Sequence, residues 1–200
     1  MMKLYSEACE RNALYIGDVL EEILPAEGVV LEVGSGTGQH AVAFSRRFPR
    51  LQWQPTNAEG PEALESVRAY AEEAGLENLL EPRVFDLLEG ARPLARADAV
   101  VSINVLHIAP WEATARLFEH AAKLLPGGAP LVVYGPFRHP DRPLEPSNQR
   151  FDEFLRARDP RSGLRRLDEV MKEASAAGFR HEETRRLPAN NDVVIWRFSP

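Results

Sequence analysis

One stretch near the N-terminus constrains the fold more than any other, because it joins an apparent strand to a helix through a loop almost without side chains. Residues 29–40 read VVLEVGSGTGQH, an apolar run followed by three glycines in five positions. The run at residues 29–33 is typical of a buried strand, and a helical pattern begins at Gln39. Glycine permits positive φ and lets a ligand lie against the main chain with no Cβ between them. The stretch therefore predicts a strand, loop and helix with a ligand at the carboxyl end of the strand.

The spacing of the three glycines separates two classes of ligand. A dinucleotide site has the pattern G-x-G-x-x-G, in which the third glycine packs the helix against the strand and the pyrophosphate meets the helix N-terminus. Here the third glycine, Gly38, comes one residue earlier, and Gln39 occupies the dinucleotide position. Glu32, just before the loop, adds a carboxylate that would repel a pyrophosphate and attract a cation. The loop therefore favours a cationic ligand over a dinucleotide.

The rest of the chain alternates between segments with helical and strand patterns. This alternation predicts a single α/β domain over residues 1–200 with a mostly parallel sheet. Residues 135–150 are rich in proline and polar side chains, which predicts a long loop, and loops of this kind are commonly functional. Residues 135–160 are therefore expected to form a loop and helix lid over the ligand site. Helices are expected within residues 1–25, 39–48, 60–75, 111–128, 151–159 and 164–178, and strands within residues 29–33, 51–57, 82–88, 97–106, 129–137, 180–188 and 192–198.

The composition argues against several kinds of partner. Aspartate and glutamate number 30 against 24 lysines and arginines, and the resulting net charge of −6 makes nucleic acid an unexpected partner. Cys9 is the only cysteine, so neither an intrachain disulfide nor a cysteine-based zinc cluster is expected. No apolar run approaches the roughly 20 residues of a membrane-spanning helix, and the polar N-terminus differs from a secretory signal. A cytoplasmic protein without a membrane partner is expected. Five arginines lie within residues 156–166, near the acidic residues Asp152, Glu153 and Asp159, and this cluster is interpreted as a salt-paired, solvated surface.

The sequence LEVGSGTG at residues 31–38 resembles the first motif of class I methyltransferases, which use S-adenosyl-L-methionine. The chain as a whole resembles the methyltransferase-like 26 family, a group of predicted methyltransferases. The resemblance implies an α/β, Rossmann-like fold whose seven-stranded sheet is mostly parallel, with an antiparallel last strand and helices on both faces. The segments that carry the family resemblance are ERN at residues 10–12, WQPTN at 53–57, NVLHIAPW at 104–111, YGPF at 134–137, SNQRFD at 147–152, RDP at 158–160 and PANN at 188–191.

The same resemblance implies which residues hold the cofactor. The second strand of such folds ends in an acidic residue that accepts hydrogen bonds from the ribose, whereas this chain has Asn57, whose amide lacks the charge that strengthens such bonds. Glu59 could take that role from two residues further on. Asp86 matches the position that reaches the adenine amino group, with Leu87 against the ring, although Asp86 could instead be an ordinary helix cap after the strand. The implied cofactor-binding residues are Glu32, Gly34, Ser35, Gly36, Gly38, Asn57, Asp86, Leu87 and Asn104.

Methyl transfer from a sulfonium needs alignment and a dry site more than a fixed catalytic set. Three catalytic candidates follow the fourth and fifth predicted strands: Asn104 beside the expected methyl group, His107 and Tyr134. His107 is interpreted either as a general base or as a residue that caps or packs the next helix. The five histidines show no paired helical spacing, so no metal is expected. Further candidates on the acceptor side are Trp111, Asn148, Asp152, Asn190 and Asn191.

Three functions remain open from the sequence. The first is an S-adenosyl-L-methionine-dependent methyltransferase with an unidentified, small-molecule acceptor. The second is a non-catalytic S-adenosyl-L-methionine-binding or regulatory module with the same fold, which Asn57 favours slightly. The third is an NAD-dependent oxidoreductase, which the glycine spacing disfavours. The sequence does not predict an oligomeric state.

Overall fold

The computed structural model describes residues 3–58 and 61–200, and in them helices and strands alternate along the chain. The helices are α1 (Glu7–Ile23), α2 (Gln39–Arg47), α3 (Pro61–Ala74), α4 (Glu112–Leu124), α5 (Pro146–Arg158) and α6 (Leu167–Ala176). The strands are β1 (Gly28–Val33), β2 (Leu51–Asn57), β3 (Arg83–Val84), β4 (Ala99–Ile103), β5 (Pro130–Gly135), β6 (Phe137–Arg138), β7 (Arg165–Arg166), β8 (Phe179–Leu187) and β9 (Asn191–Phe198). A single 3-10 turn, Pro188–Asn190, joins β8 to β9.

Seven of the strands form one sheet in the order β3-β2-β1-β4-β5-β9-β8. The strands from β1 to β5 pair in parallel, and β9 lies antiparallel between β5 and β8. The predicted α/β architecture, with a mostly parallel seven-stranded sheet and an antiparallel last strand, is confirmed. Because β1 has β2 on one side and β4 on the other, the strand order reverses there, and a crevice opens beyond the carboxyl ends of these strands.

Hydrophobic residues cover the sheet on both faces, which explains the nearly continuous apolar runs of its central strands. On β1, Leu31 packs into a cluster that includes Phe118 of α4. Its neighbour Val30 packs into a second cluster with Phe44 of α2, because alternate side chains point to opposite faces. Glu32 is the polar exception on this strand, with an exposed fraction of 1%. No helix of the described residues is long and apolar enough to cross a membrane.

The segment around residues 135–150 differs from its predicted form. Helix α5 begins at Pro146, five residues before the predicted start at 151, and proline suits the first turn of a helix because its missing N–H would have no partner there. Strand β6 interrupts the predicted loop and pairs in parallel with β7, outside the main sheet. Strands of two residues leave no periodic pattern in a sequence, so this pairing was not predictable. The segment without helix or strand shrinks to residues 139–145.

Candidate functional site

A cavity of about 570 Å³ lies at the carboxyl ends of β4 and β5. It brings together the three catalytic candidates, Asn104, His107 and Tyr134. Helix α1, helix α5 and the 3-10 turn supply further walls, so parts of the chain that are distant in sequence meet here. The lining residues are Ala8, Arg11, Asn12, Tyr15, Asn104, His107, Ile108, Tyr134, Pro136, Asn148, Phe151, Leu187, Pro188, Ala189 and Asn191.

Backbone strain is concentrated at this cavity. Among the described residues other than glycine, positive φ occurs at Asn104 (58°), Ala189 (60°) and Asn190 (59°). Asn104 and Ala189 line the cavity, and the carbonyl of Asn190 accepts a hydrogen bond of 3.0 Å from the side-chain amide of Asn148, which also lines it. Each left-handed residue of this kind costs about 1–2 kcal/mol. Strain that a fold maintains at one place is typical of a functional site.

Gly135 allows the side chains of Asn104 and His107 to approach the end of β5. A Cβ built on Gly135 would lie 3.2 Å from His107 Nδ1 and 3.7 Å from Asn104 Oδ1. The backbone N–H of Asn104 donates to the carbonyl of Tyr134 at 2.8 Å, which continues the pairing of β4 with β5. The three catalytic candidates therefore lie together at the carboxyl ends of β4 and β5.

The imidazole of His107 is neutral at physiological pH. Burial, assisted by the positive charge of Arg165, lowers its pKa to about 4. Its ring packs edge-on against Phe151 of α5, with centroids 5.4 Å apart. A neutral ring at a cavity wall can accept a hydrogen bond through its unprotonated nitrogen. The two predicted roles of His107, as a general base or as a residue that caps or packs the next helix, both stay predictions, and the ring contact found here is with α5.

Tyr134 stands between polar side chains from both ends of the chain. Burial raises the pKa of its phenol, and hydrogen bonding with the amides of Asn12 and Asn191 opposes that shift. Asn12 also bonds His40 of α2 through its Oδ1 atom at 2.7 Å. Burial lowers the pKa of His40 to about 4, so its Nε2–H donates to Asn12 without a positive charge. A continuous polar connection thus runs from α2 through α1 to the cavity.

The three glycines of the loop differ in what surrounds their Cβ positions. All have positive φ, at 76° for Gly34, 55° for Gly36 and 94° for Gly38. A Cβ on Gly34 would lie 2.4 Å from a methyl group of Val105, and one on Gly38 would lie 2.8 Å from the Cα of Val67. A Cβ on Gly36 would meet no atom within 4 Å. Packing within the protein therefore explains Gly34 and Gly38, whereas Gly36 borders open space.

Asn57 holds the loop at Gly36. Its Oδ1 accepts from the Gly36 N–H at 2.8 Å, and its Nδ2 donates to the Gly36 carbonyl at 3.2 Å. The adjacent Ser35 pairs with Thr56 in the same two-way manner, since Ser35 N–H donates to the Thr56 carbonyl and Ser35 Oγ accepts from the Thr56 N–H. An aspartate could not make the bond to the Gly36 carbonyl. Contact of Asn57 with a ribose stays a prediction, and Glu59 lies outside the described residues.

Glu32 is a buried carboxylate with one satisfied oxygen. Trp53 Nε1 donates to its Oε2 at 2.7 Å, whereas Oε1 is buried and has no hydrogen-bond partner among the described residues. Burial raises the pKa of Glu32 to about 7, and the hydrogen bond from Trp53 limits the rise. A buried oxygen of this kind is costly unless a ligand satisfies it.

The remaining predicted cofactor residues lie at the end of β3. Asp86 Oδ1 accepts from the Leu88 N–H at 2.8 Å and so caps a turn, whereas the alternative prediction was a helix cap and no helix lies between β3 and β4 among the described residues. Leu87 packs in the same hydrophobic cluster as Phe85. Their predicted contacts with an adenine stay predictions.

Several acceptor-side candidates lie elsewhere, and other residues were missed. Trp111 lines a different cavity, and Asp152 is buried against Leu164 and two arginines. The residues from α1, including Asn12 and Tyr15, were not predicted to line the site. The ERN segment at residues 10–12 was singled out only by the family resemblance. The sequence of a helix that precedes the first strand does not indicate against which part of the sheet the helix packs. The described residues contain no group of three or more side chains suited to a metal ion.

The parallel sheet with β9 inserted antiparallel, together with the glycine loop after β1, defines the Rossmann-like fold of class I methyltransferases. The chain belongs to the family described as "Protein of unknown function (DUF938)", which matches residues 3–198. The resemblance to the methyltransferase-like 26 family stays a prediction.

Several proteins with a similar fold or a partly similar sequence are named as methyltransferases. An O-methyltransferase family protein from Burkholderia thailandensis is 20% identical with a TM-score of 0.79, and the alignment covers 96% of this chain and 58% of that one. Human N-acetylserotonin methyltransferase, solved in complex with S-adenosylmethionine, is 19% identical with a TM-score of 0.77 over 97% of this chain and 53% of the other. A release factor glutamine methyltransferase from Koribacter versatilis is 40% identical over 73 residues, which are 36% of this chain and 25% of that protein. The chain thus spans little more than half of these two solved structures and a quarter of this relative.

Proposed function

We propose that this protein is an S-adenosyl-L-methionine-dependent methyltransferase that acts on a small-molecule acceptor. The observation that carries the proposal is the contrast between Gly36 and the other two glycines of the loop. Gly36 has open space at its Cβ position and lies in the loop after β1, where the strand order reverses, so a ligand bound there could lie against its backbone. The unpartnered Oε1 atom of Glu32, just before this loop, is a second buried group suited to a polar or cationic ligand.

The residues present fit the cofactor. The group would supply an electrophilic methyl on a sulfonium, and the related human enzyme was solved with S-adenosylmethionine. The main chain of the loop would support it, with Glu32 as the acidic group, and the pairing of Asn57 with Gly36 fixes the loop in advance. Preorganisation of this kind lowers the entropy lost on binding. The proposed cofactor residues are Glu32, Gly34, Ser35, Gly36, Gly38, Asn57, Asp86, Leu87 and Asn104.

The cavity of about 570 Å³ is the proposed acceptor site, and its volume is within the range of small-molecule pockets. Asn104 and Tyr134 offer hydrogen bonds that would orient the acceptor. His107 would accept a hydrogen bond from the acceptor's hydroxyl or amine, because its ring is unprotonated throughout the neutral range. A pKa of about 4 also makes the ring a weak base. Alignment of the acceptor is therefore the larger contribution of His107, and proton removal the smaller one.

Residues 135–160 are proposed to cover this site as part of the single domain. Two residues of α5, Asn148 and Phe151, form one wall, and the bond from Asn148 to the Asn190 carbonyl joins this wall to the strained turn before β9. Residues 139–145 connect that wall to the sheet without helix or strand. Closure of such a cover would exclude water from the transfer.

Direct binding tests the proposal. Calorimetry of the full chain with S-adenosylhomocysteine should give one site per chain, and NADH should give no heat. Incubation with radiolabelled S-adenosyl-L-methionine and a panel of small hydroxyl, amine and carboxyl compounds should then yield a labelled product, less of it with Tyr134→Phe. Absence of cofactor heat at millimolar concentration would refute the proposal. Cofactor binding without transfer to any compound would instead favour a binding module.

A further inference from the structure

A second cavity, of about 420 Å³, shares no lining residue with the proposed acceptor site. It lies between the segment that follows β4, the helix α5 and the short β6–β7 pair. Arginine dominates its walls, with four guanidinium groups against one carboxylate. The lining residues are Trp111, Arg138, Arg156, Leu164, Arg165, Arg166 and Glu169.

Arg165 is the unusual member of this cavity, because it is a buried cation without a carboxylate. Its exposed fraction is 7%, although the sequence had suggested a solvated, salt-paired surface. Its guanidinium donates to three backbone carbonyls: that of Leu106 at 2.8 Å, that of Arg161 at 3.0 Å, and that of Ala109. Within the described part of the chain, no acidic side chain pairs with it. Burial of a charge without a counter-charge is costly, so an anion bound beside Arg165 would stabilise it.

Arg138 and Arg156 share a single carboxylate beside the cavity. Both donate to Asp152 Oδ2, while the other oxygen of Asp152 accepts from the Leu164 N–H at 2.6 Å. The Nε atom of Arg138 is buried and has no hydrogen-bond partner among the described residues. Asp152 is therefore the one carboxylate that forms ion pairs with these arginines, whereas Arg165 has only the more distant charges of Asp152 and Glu112 near it.

The positive groups of the cavity also act on one another. Burial lowers the pKa of Arg165, and the nearby charge of Arg156 lowers it further, whereas Asp152 and Glu112 oppose the shift. The fourth arginine, Arg166, is already paired with acidic neighbours on α6. An anion among the other three would relieve their repulsion.

We propose that this cavity is a binding site for a phosphate group, either free or carried as a phosphate monoester. Arg138, Arg156 and Arg165 come from β6, α5 and β7, and so reach the cavity from three separate elements. A planar carboxylate is satisfied by one guanidinium fork, whereas the oxygens of a tetrahedral phosphate can accept from several. The phosphate charge of about −1.5 to −2 at pH 7 would also complement three guanidinium groups that share one ion-paired carboxylate.

Arg165 is fixed in position before any anion arrives. Four consecutive carbonyls, those of residues 106–109, accept hydrogen bonds from Ser162, Gly163 and Arg165. The carbonyls of Leu106 and Ala109 bond Arg165 itself, that of His107 accepts from the Gly163 N–H at 2.8 Å, and that of Ile108 accepts from Ser162 Oγ at 2.8 Å. A guanidinium held in this way loses little conformational entropy when it binds an anion.

Calorimetry at constant ionic strength tests the site without any reference to methyl transfer. Sodium phosphate and phenyl phosphate should bind saturably at one site per chain, and sodium chloride and sodium acetate should not. Arg138→Gln should weaken phosphate binding by about tenfold or more, since it removes one charge-assisted contact. Asp152 keeps Arg156 and Leu164 as partners in this variant. Tighter binding of phenyl phosphate than of inorganic phosphate would identify an ester as the natural ligand, and the reverse would identify free phosphate.

Arg158→Gln is the matched control, because Arg158 lies on α5, carries the same charge and does not line the cavity. Its phosphate affinity should equal that of the unmodified protein. The proposal is overturned if phosphate does not bind, if acetate binds as tightly, or if both arginine variants lose the same affinity. After any of these results, the only role left for Arg165 is to hold residues 106–109 in place through its hydrogen bonds to two of their carbonyls.

Discussion

Replacement of Gly36 by alanine should separate ligand binding from stability. Gly36 has φ of 55° and no atom within 4 Å of the added Cβ, so the substitution brings conformational strain without overlap. A left-handed alanine costs about 1–2 kcal/mol, and the loss of chain entropy in the unfolded state returns about 0.4–1 kcal/mol of this. The free energy of unfolding should therefore fall by only about 1 kcal/mol.

Gly75 provides a control with nearly the same backbone. Its φ is 59°, and its Cβ position is also open. It follows α3, whose carboxyl end lies toward the amino ends of the parallel strands, away from the site. Gly75→Ala should lose the same stability as Gly36→Ala and keep its full affinity for S-adenosylhomocysteine. Gly36→Ala should lose about tenfold or more, because overpacking by a methyl group costs about 1–3 kcal/mol.

Gly38→Ala should show the opposite pattern. Its added Cβ would lie 2.8 Å from the backbone of Val67, and its φ of 94° suits glycine alone. Overpacking and strain together should remove about 2–5 kcal/mol of unfolding free energy. Urea unfolding and calorimetry on the three variants measure both quantities. The reasoning fails if Gly36→Ala binds S-adenosylhomocysteine as tightly as Gly75→Ala does.

Three further predictions concern titration and hydrogen bonding at the site. Burial raises the pKa of Glu32 to about 7, so the folded state keeps a proton that the unfolded state loses above about pH 4.5. Stability should therefore fall by about 3 kcal/mol between pH 4.5 and 7, and urea unfolding of Glu32→Gln should lack this fall. The imidazole of His107, with a pKa of about 4, should show no NMR titration between pH 5.5 and 8, whereas a midpoint near 6.5 would contradict its burial. Asn57→Asp should lower unfolding free energy at pH 7 by about 1–3 kcal/mol, since a carboxylate cannot donate to the Gly36 carbonyl. Unchanged stability would mean that this bond contributes little.

The sequence was sufficient for the main sheet and for placing some cavity residues together. Parallel strands end at a common edge, so residues at the carboxyl ends of β4 and β5, such as Asn104 and Tyr134, could be grouped from the sequence alone. The contribution of α1 could not be predicted, because a helix before the first strand has no fixed place in such a sheet. Arg165 was misjudged for a related reason: its burial depends on the fold of residues 161–166 against residues 106–109, and charge composition does not encode that contact.

The residue that breaks the dinucleotide pattern has a structural role at the same site. Gln39 occupies the place of the third dinucleotide glycine, and its Oε1 accepts from the Ser6 N–H at 2.7 Å and from Thr37 Oγ1 at 3.0 Å. Ser6 caps α1, which supplies Asn12 and Tyr15 to the cavity. A glycine at position 39 could not make these bonds. Gln39, the residue that argued against a dinucleotide, therefore also holds α1 against the ligand loop. Through these hydrogen bonds, the wall of the acceptor cavity is connected to the segment proposed to hold the cofactor.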